Sequence, residues 1–250
     1  MARSRPDSLD GVDFVVMAGG PSTRYGRVQK LLTAIYDAPL VAWHVLMVDE
    51  LVPYRLVVSL GLEADAVREA VEPATSRKRD IVWHVDEEAR GTAVSLRDMY
   101  RRGVLKGDPV VVTYADTILQ TPQLILDLVI FYRTVGLELA MLIDPYRVYG
   151  YRYEQKGGKL VPIEAQVPAG VYVFGRTALE KISGFIDEQE GGVDTVMDIE
   201  DAVARVYKGW IPAYHAPVDS VASLETPADI PRVKRLLRFS SFAGPIVSQQ

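Results

Sequence analysis

The chain contains no cysteine and no asparagine, and only three of its 250 residues are histidine. Without cysteine there is no disulfide, no thiolate metal site and no sulfur nucleophile. His44, His84 and His215 fall in stretches that read as a helix and two strands, and none sits in a nucleophile–base pairing, so all three are expected to be structural. No apolar run reaches the roughly 18 residues that a membrane-spanning helix needs. The basic start "MARSRPDSLDG" leads into no apolar segment, so no signal peptide is expected either. A cytoplasmic location without a membrane partner follows as an expectation. Excess positive charge is also missing: the net charge is −5, which argues against a nucleic-acid partner. The basic stretch Ser76 to Arg79 and the spaced Arg232, Lys234, Arg235 and Arg238 read as solvated surface. Arginine outnumbers lysine 20 to 8, and with asparagine absent this composition suggests a thermophilic source.

What the chain does have is a soluble, globular composition, 48% hydrophobic and 24% charged, long enough for one sizeable core. Short β-branched runs alternate with amphipathic stretches, the pattern of a mostly parallel sheet covered by helices. Strands are expected at 13–18, 54–60, 80–85 and 109–115. Helices are expected at 39–51, with Pro39 in the first turn, at 62–72 and at 91–102. Beyond about residue 140 turn signals break up short apolar runs, consistent with antiparallel additions to the sheet. Two more helices, near 199–207 and 227–238, flank a strand within 210–216. The expected unit is one domain over 11–240, with 1–10 and 241–250 as loose ends.

The stretch "VVMAGGPSTRYGRVQKLL" (15–32) carries the chemistry. An apolar strand ends in Gly19-Gly20, whose amides can approach a ligand closely because no side chain intervenes. Such a concavity suits an anion, phosphate above all. Arg24 adds a planar fork for phosphate oxygens and Lys30 a mobile point charge. Neither GxxxxGK[ST] nor GxGxxG fits the spacing, and an ordinary strand–helix turn with surface cations is the competing reading.

The loop has company. "AGGPSTRYGRVQK", "RGTAVSL" (90–96), "VVVTYADTIL" (110–119), "DPYRVYGYR" (144–152), "PAGVYVFGRTALEKI" (168–182) and "TPADI" (226–230) follow in one order along the chain. Together they resemble the nucleotidyltransferase superfamily that makes nucleotide sugars. The resemblance implies a Rossmann-like three-layer α/β/α domain with a mostly parallel mixed sheet. It also implies transfer from a nucleoside triphosphate to a sugar 1-phosphate, releasing pyrophosphate with Mg²⁺. The acceptor phosphate is already an anionic nucleophile, so positioning and charge neutralisation would carry catalysis. On this resemblance Ala18, Gly19, Gly20 and Thr23 hold the triphosphate with Arg24, and Lys30 contacts the α-phosphate. Gly91 and Thr92 lie against the base, while Tyr149, Gly150, Glu164 and Gly170 face the acceptor. Asp116 matches the metal-binding aspartate, although an Asp in that place can also serve as a turn or N-cap residue.

The departures from the pattern are specific. Ser22 and Gln29 replace a usual glycine and proline, and Ala115 stands for the glycine before Asp116. Ser223 stands where a second metal aspartate is usual. Glu225, two residues on and on the same strand face, is the better replacement, and Asp219 lies farther away. Alternatively, the site is one ligand short and water fills the place. Ala165 replaces a lysine expected to hold the acceptor's phosphate. Asp86, followed by Glu87 and Glu88, stands where many members carry a glutamine for a pyrimidine. A carboxylate only accepts hydrogen bonds, which suits the adjacent N1 and N2 donors of guanine and favours GTP, whereas a solvated acidic turn would explain the same residues. The six-residue step from Arg24 to Lys30 is short and looks closer to the archaeal adenosylcobinamide-phosphate guanylyltransferase, whose acceptor is not a sugar. A non-catalytic nucleotide-sugar-binding regulator is the third alternative, and homo-oligomerisation is left open.

Overall fold

The computed structural model describes residues 9–20, 25, 29–51, 55–61, 63–74, 81–148, 152–156, 159–163, 166–189, 196–208 and 211–243. The chain opens with β1 (Asp13–Ala18), a 3₁₀ turn at Lys30–Leu32, and two-residue strands β2 (Ala34–Ile35) and β3 (Ala38–Pro39). Next come α1 (Leu40–Asp49), β4 (Arg55–Leu60), α2 (Ala64–Val71), β5 (Ile81–Val85) and α3 (Thr92–Arg101). The middle of the chain supplies β6 (Val110–Tyr114), β7 (Thr117–Leu119), α4 (Gln123–Val135) and β8 (Leu139–Val148). A hairpin of β9 (Arg152–Lys156) and β10 (Lys159–Ile163) leads to β11 (Gln166–Phe174) and α5 (Arg176–Gln189). The last elements are α6 (Ile199–Tyr207), β12 (Ala213–His215), β13 (Val221–Ser223) and α7 (Ile230–Arg238).

Seven strands form the central sheet in the order β12-β8-β11-β6-β1-β4-β5. Only β11 runs against the others, pairing antiparallel with both β6 and β8. Strand alternation explains the layers. On β1, Phe14 and Val16 point to a core shared with α1, α2, α4 and α7, while Val15 and Met17 point to the opposite core, built with α3, α5 and α6. Both faces of β1 are therefore covered, and its residues are all buried. This is the three-layer α/β/α arrangement with a mostly parallel mixed sheet. No helix among the described residues is long and apolar enough to cross a membrane.

The early elements lie within two residues of expectation, with β1 matching at both ends. Pro39 differs: it caps α1 from the end of β3 rather than opening the helix. The sequence pattern announces no helix at Gln123–Val135 or Arg176–Gln189, yet both are helical. In the first, "LVIFY" carries the β-branched and aromatic residues of a strand, and packing of Leu124, Ile125, Leu128 and Val129 on the sheet overrides that preference. Pro227–Asp229 forms a 3₁₀ turn before α7, closed by a capping box between Thr226 and Asp229. The basic stretch at 76–79 and most of both expected loose ends lie outside the described residues.

Candidate active site

Strands β1, β4 and β6 are parallel neighbours, with β1 in the middle. Their carboxyl ends point the same way, and the chain leaves β1 toward one side and β6 toward the other. Open α/β sheets bind ligands at such a place. A cleft of about 140 Å³ opens there.

Its floor and near wall come from the end of β1. Met17, Gly19 and Gly20 line the cleft, and Ala18 is buried beneath them in the core. Gly19 lies back to back with Gly61. A Cβ on Gly61 would come within 2.3 Å of the Gly19 carbonyl oxygen, so glycine at 61 is a steric requirement that no local sequence pattern announces. Thr23 and Arg24 lie outside the described residues, as do Tyr149, Gly150 and Glu164.

Lys30 enters from the 3₁₀ turn, anchored by the buried Leu31 and started by Gln29, whose side chain accepts the Leu31 N–H. Its ammonium donates to the carboxylate of Asp116, and both side chains are about one-fifth exposed. Asp116 stands where the chain leaves the sheet. Ala115 N–H still bonds Met17 O on β1 at 3.0 Å, after which β7 pairs with β13 instead. Leu224 N–H donates to Asp116 O at 2.9 Å, and the Thr117 hydroxyl touches Ser223 Oγ at 3.0 Å and reaches Asp116 Oδ1 at 3.5 Å. Ser223 is thus a neighbour of Asp116. Glu225, half-buried, follows one residue beyond the Leu224 bond. Its N–H is held by Asp229, and its side chain does not line the cleft.

The far wall is the start of α3. Gly91 has φ +96°, and a Cβ there would lie 2.4 Å from Met197 O, so only glycine lets the two segments meet. Across this contact Ala93 N–H bonds Met197 O at 3.0 Å and Met197 N–H bonds Arg90 O at 2.9 Å. The two helix starts then cap each other. Thr92 N–H, at the head of α3, donates to Asp198 Oδ1 at 3.3 Å, and Ile199 N–H, at the head of α6, donates to Thr92 Oγ1 at 3.0 Å. Behind them the Glu200 carboxylate accepts from Tyr114 at 2.8 Å and Tyr172 at 2.5 Å. Burial raises the Glu200 carboxyl above its ordinary pKa, and burial likewise pushes both phenols well up, Glu200 adding to the rise.

Asp86 lines the cleft beside Leu60, whose carbonyl accepts its N–H at 2.9 Å. Its carboxylate takes the Glu88 N–H at 3.3 Å and lies 4.0 Å from the Arg90 guanidinium. Ser59 and Ser95 line the same part, their hydroxyls bonded to each other at 2.8 Å. Gly170, on β11, abuts Thr117 and Tyr114 and does not itself line the cleft. Of the sequence-derived residues, the cleft therefore brings together Gly19, Gly20, Lys30, Asp86, Gly91, Thr92 and Asp116. It adds Tyr114 and Asp198. In the sequence, Asp198 reads only as a helix start, with Glu200 and Asp201 in the first turn behind it.

Among the described residues no three His, Cys, Asp or Glu side chains converge as a metal group. Mg²⁺ is commonly held by one or two carboxylates, with waters and substrate phosphates completing its shell. Asp116, beside the Thr117 and Ser223 hydroxyls and the Lys30 ammonium in a cleft that Gly19 and Gly20 also line, fits that kind of binding.

The MobA-like NTP transferase domain matches residues 14–193. The bifunctional protein GlmU of Paenarthrobacter aurescens is 28% identical over 200 residues, 71% of this chain, and the match spans 40% of that protein's length. A Bacillus anthracis protein described as a glucose-1-phosphate thymidylyltransferase superposes with TM-score 0.74 at 16% identity, over 95% of this chain and 99% of its own. The inositol-1-phosphate CTP transferase of T. maritima (TM-score 0.67, 11% identity, 91% and 95% covered) and the CTP:phosphocholine cytidylyltransferase of Streptococcus pneumoniae (0.66, 15%, 90% and 99%) share the fold. With the family domain covering most of its length and this cleft at its strand ends, the chain belongs to the MobA-like NTP transferase family and is a nucleotidyltransferase.

Proposed function

We propose that the enzyme transfers a nucleotidyl group from a nucleoside triphosphate, GTP by preference, to a sugar 1-phosphate. An acceptor phosphate oxygen attacks the α-phosphorus, the bond from that phosphorus to the bridging oxygen breaks, and pyrophosphate leaves with the electron pair. No proton needs to move. The observation that carries this reading is the meeting of the Gly19-Gly20 turn, Lys30 and Asp116 in one cleft.

Each described group has a task that its place supports, and Arg24, Tyr149, Gly150 and Glu164 take theirs from the sequence resemblance. The Gly19-Gly20 amides, with Arg24, cradle the triphosphate, and Lys30 neutralises charge building on the α-phosphate. Asp116 is assigned to Mg²⁺, which when bound would supply positive charge to the phosphate oxygens, and Glu225, one residue past the Leu224 bond, would have to turn into the cleft to join it. Gly91 and Thr92 pack against the base, and the Asp86 carboxylate accepts hydrogen bonds from its N1–H and N2–H. The acceptor is assigned, on the sequence resemblance, to Gly170, Tyr149, Gly150 and Glu164.

The test is pyrophosphate release with each of four triphosphates against a panel of sugar 1-phosphates and other phosphate monoesters in Mg²⁺. GTP with one sugar 1-phosphate should give the highest kcat/KM, and turnover only with non-sugar phosphates would move the acceptor assignment elsewhere. In the productive pair, Lys30→Ala should lower kcat by about 10²–10³-fold, the usual loss for a donor aimed at transition-state charge. A rise in KM with kcat unchanged would make Lys30 a binding residue only.

A further inference from the structure

Helix α1 is buried over nearly its whole length, and every side chain from Leu40 to Val45 is inside. His44 sits among them with no exposed surface. An imidazole in that setting loses its hydration and must recover the cost in hydrogen bonds. Both of its nitrogens do so. Nδ1 lies 2.7 Å from the carbonyl oxygen of Thr117, and Nε2 lies 2.9 Å from the hydroxyl oxygen of Thr113. A nitrogen facing a carbonyl has to carry the proton, so Nδ1 donates and Nε2 accepts from Thr113. Burial lowers the imidazole pKa to about 4, which keeps this neutral tautomer at pH 7.

The two partners bracket Asp116. Thr113 is on β6, three residues before it, and Thr117 is the residue after it. The Asp116 carbonyl is separately taken by Leu224 N–H at 2.9 Å, from β13's side. Two consecutive carbonyls are therefore held, one by each flanking element, at the turn where the chain leaves the sheet. A carboxylate that binds a cation in competition with water benefits from being fixed in place, and groups that orient a metal ligand without touching the metal typically change affinity or activity by about 10–100-fold when removed.

We propose that His44 is a positioning residue for nucleotidyl transfer: its Nδ1–H holds the Thr117 carbonyl and so fixes where the Asp116 carboxylate stands in the cleft. This rests on the assignment of Asp116 to the metal. In Asn, Nδ2 occupies the place of the imidazole Nδ1, so His44→Asn keeps the donor to Thr117, whereas His44→Leu fills the space without it.

The experiment compares full-length wild type, His44→Asn and His44→Leu by two binding measurements: GTP alone in EDTA, and Mn²⁺ in the presence of GTP followed by its electron paramagnetic resonance signal. His44→Leu is expected to bind GTP as wild type does but to weaken Mn²⁺ binding by about 10–100-fold and lower kcat to match, with His44→Asn close to wild type. Equal Mn²⁺ affinity in all three proteins, or an Asn variant as impaired as the Leu one, overturns the proposal. Should His44→Leu not fold, ¹⁵N NMR of the wild-type imidazole still decides. A protonated Nδ1 and bare Nε2 at pH 7 support the proposal, and the opposite tautomer or an imidazolium overturns it. If wild type itself neither binds Mn²⁺ with GTP nor releases pyrophosphate, the metal assignment fails first and this inference falls with it.

Discussion

His44 ties stability to pH in a direction that can be worked out. In the fold its pKa is lowered to about 4, while in the unfolded chain it returns to about 6.5. Between those values the unfolded state binds the extra proton, so the stabilisation is complete above pH 6.5 and is lost as pH falls toward 4. A shift of this size corresponds to about 3 kcal/mol. Urea unfolding of wild type and His44→Asn from pH 8 to pH 4 should show the wild type losing that much more than the variant, and parallel curves would contradict it. Glu225 is a second residue whose role a single titration reads. If its carboxylate helps to hold Mg²⁺ beside Asp116, Glu225→Gln should raise the half-saturating Mg²⁺ in pyrophosphate release several-fold, by roughly one lost carboxylate ligand of a site that has few. Superimposable Mg²⁺ curves would leave Asp116, waters and phosphates as the whole set.

Among the elements, the meeting of α3 and α6 depends on Gly91. Alanine there combines a positive φ with a methyl group 2.4 Å from Met197 O, and strain of this kind costs about 1–3 kcal/mol. Gly91→Ala should lower the melting temperature and also weaken GTP binding, because the start of α3 lines the cleft. An unchanged GTP affinity in a folded Gly91→Ala protein would show that this wall does not touch the nucleotide. The sequence made α3 and its glycine legible through the "RGTA" segment, and it made α6 legible through helical spacing. It could not show that the two heads cap each other, because Thr92 and Asp198 are 106 residues apart and each alone reads as an ordinary helix start. His44 was hidden for the same reason: helical spacing places it inside, and only the tertiary fold places Thr117 against it.

For the molecule as a whole, the parallel half of the sheet was legible because each strand is a short β-branched run bounded by turns. The position of β11 was not. Its texture announces an antiparallel strand, yet nothing local says that it inserts between β6 and β8. That insertion brings Gly170 against Thr117 and Tyr114, and so places the latter half of the chain on the cleft that the first half builds.

The mutual capping of α3 and α6 bears on how this protein could be recombined with a relative. Thr92 and Asp198 form one fastening whose two parts are encoded far apart. A chimera joined anywhere between them takes one part from each parent, and the cleft wall then depends on whether strangers fit. Joins placed before residue 90 or after residue 200 keep both parts from one parent. Libraries crossed in those outer regions should yield more folded, nucleotide-binding proteins than libraries crossed between them, counted by soluble expression and GTP retention, and equal yields would show that the fastening is dispensable.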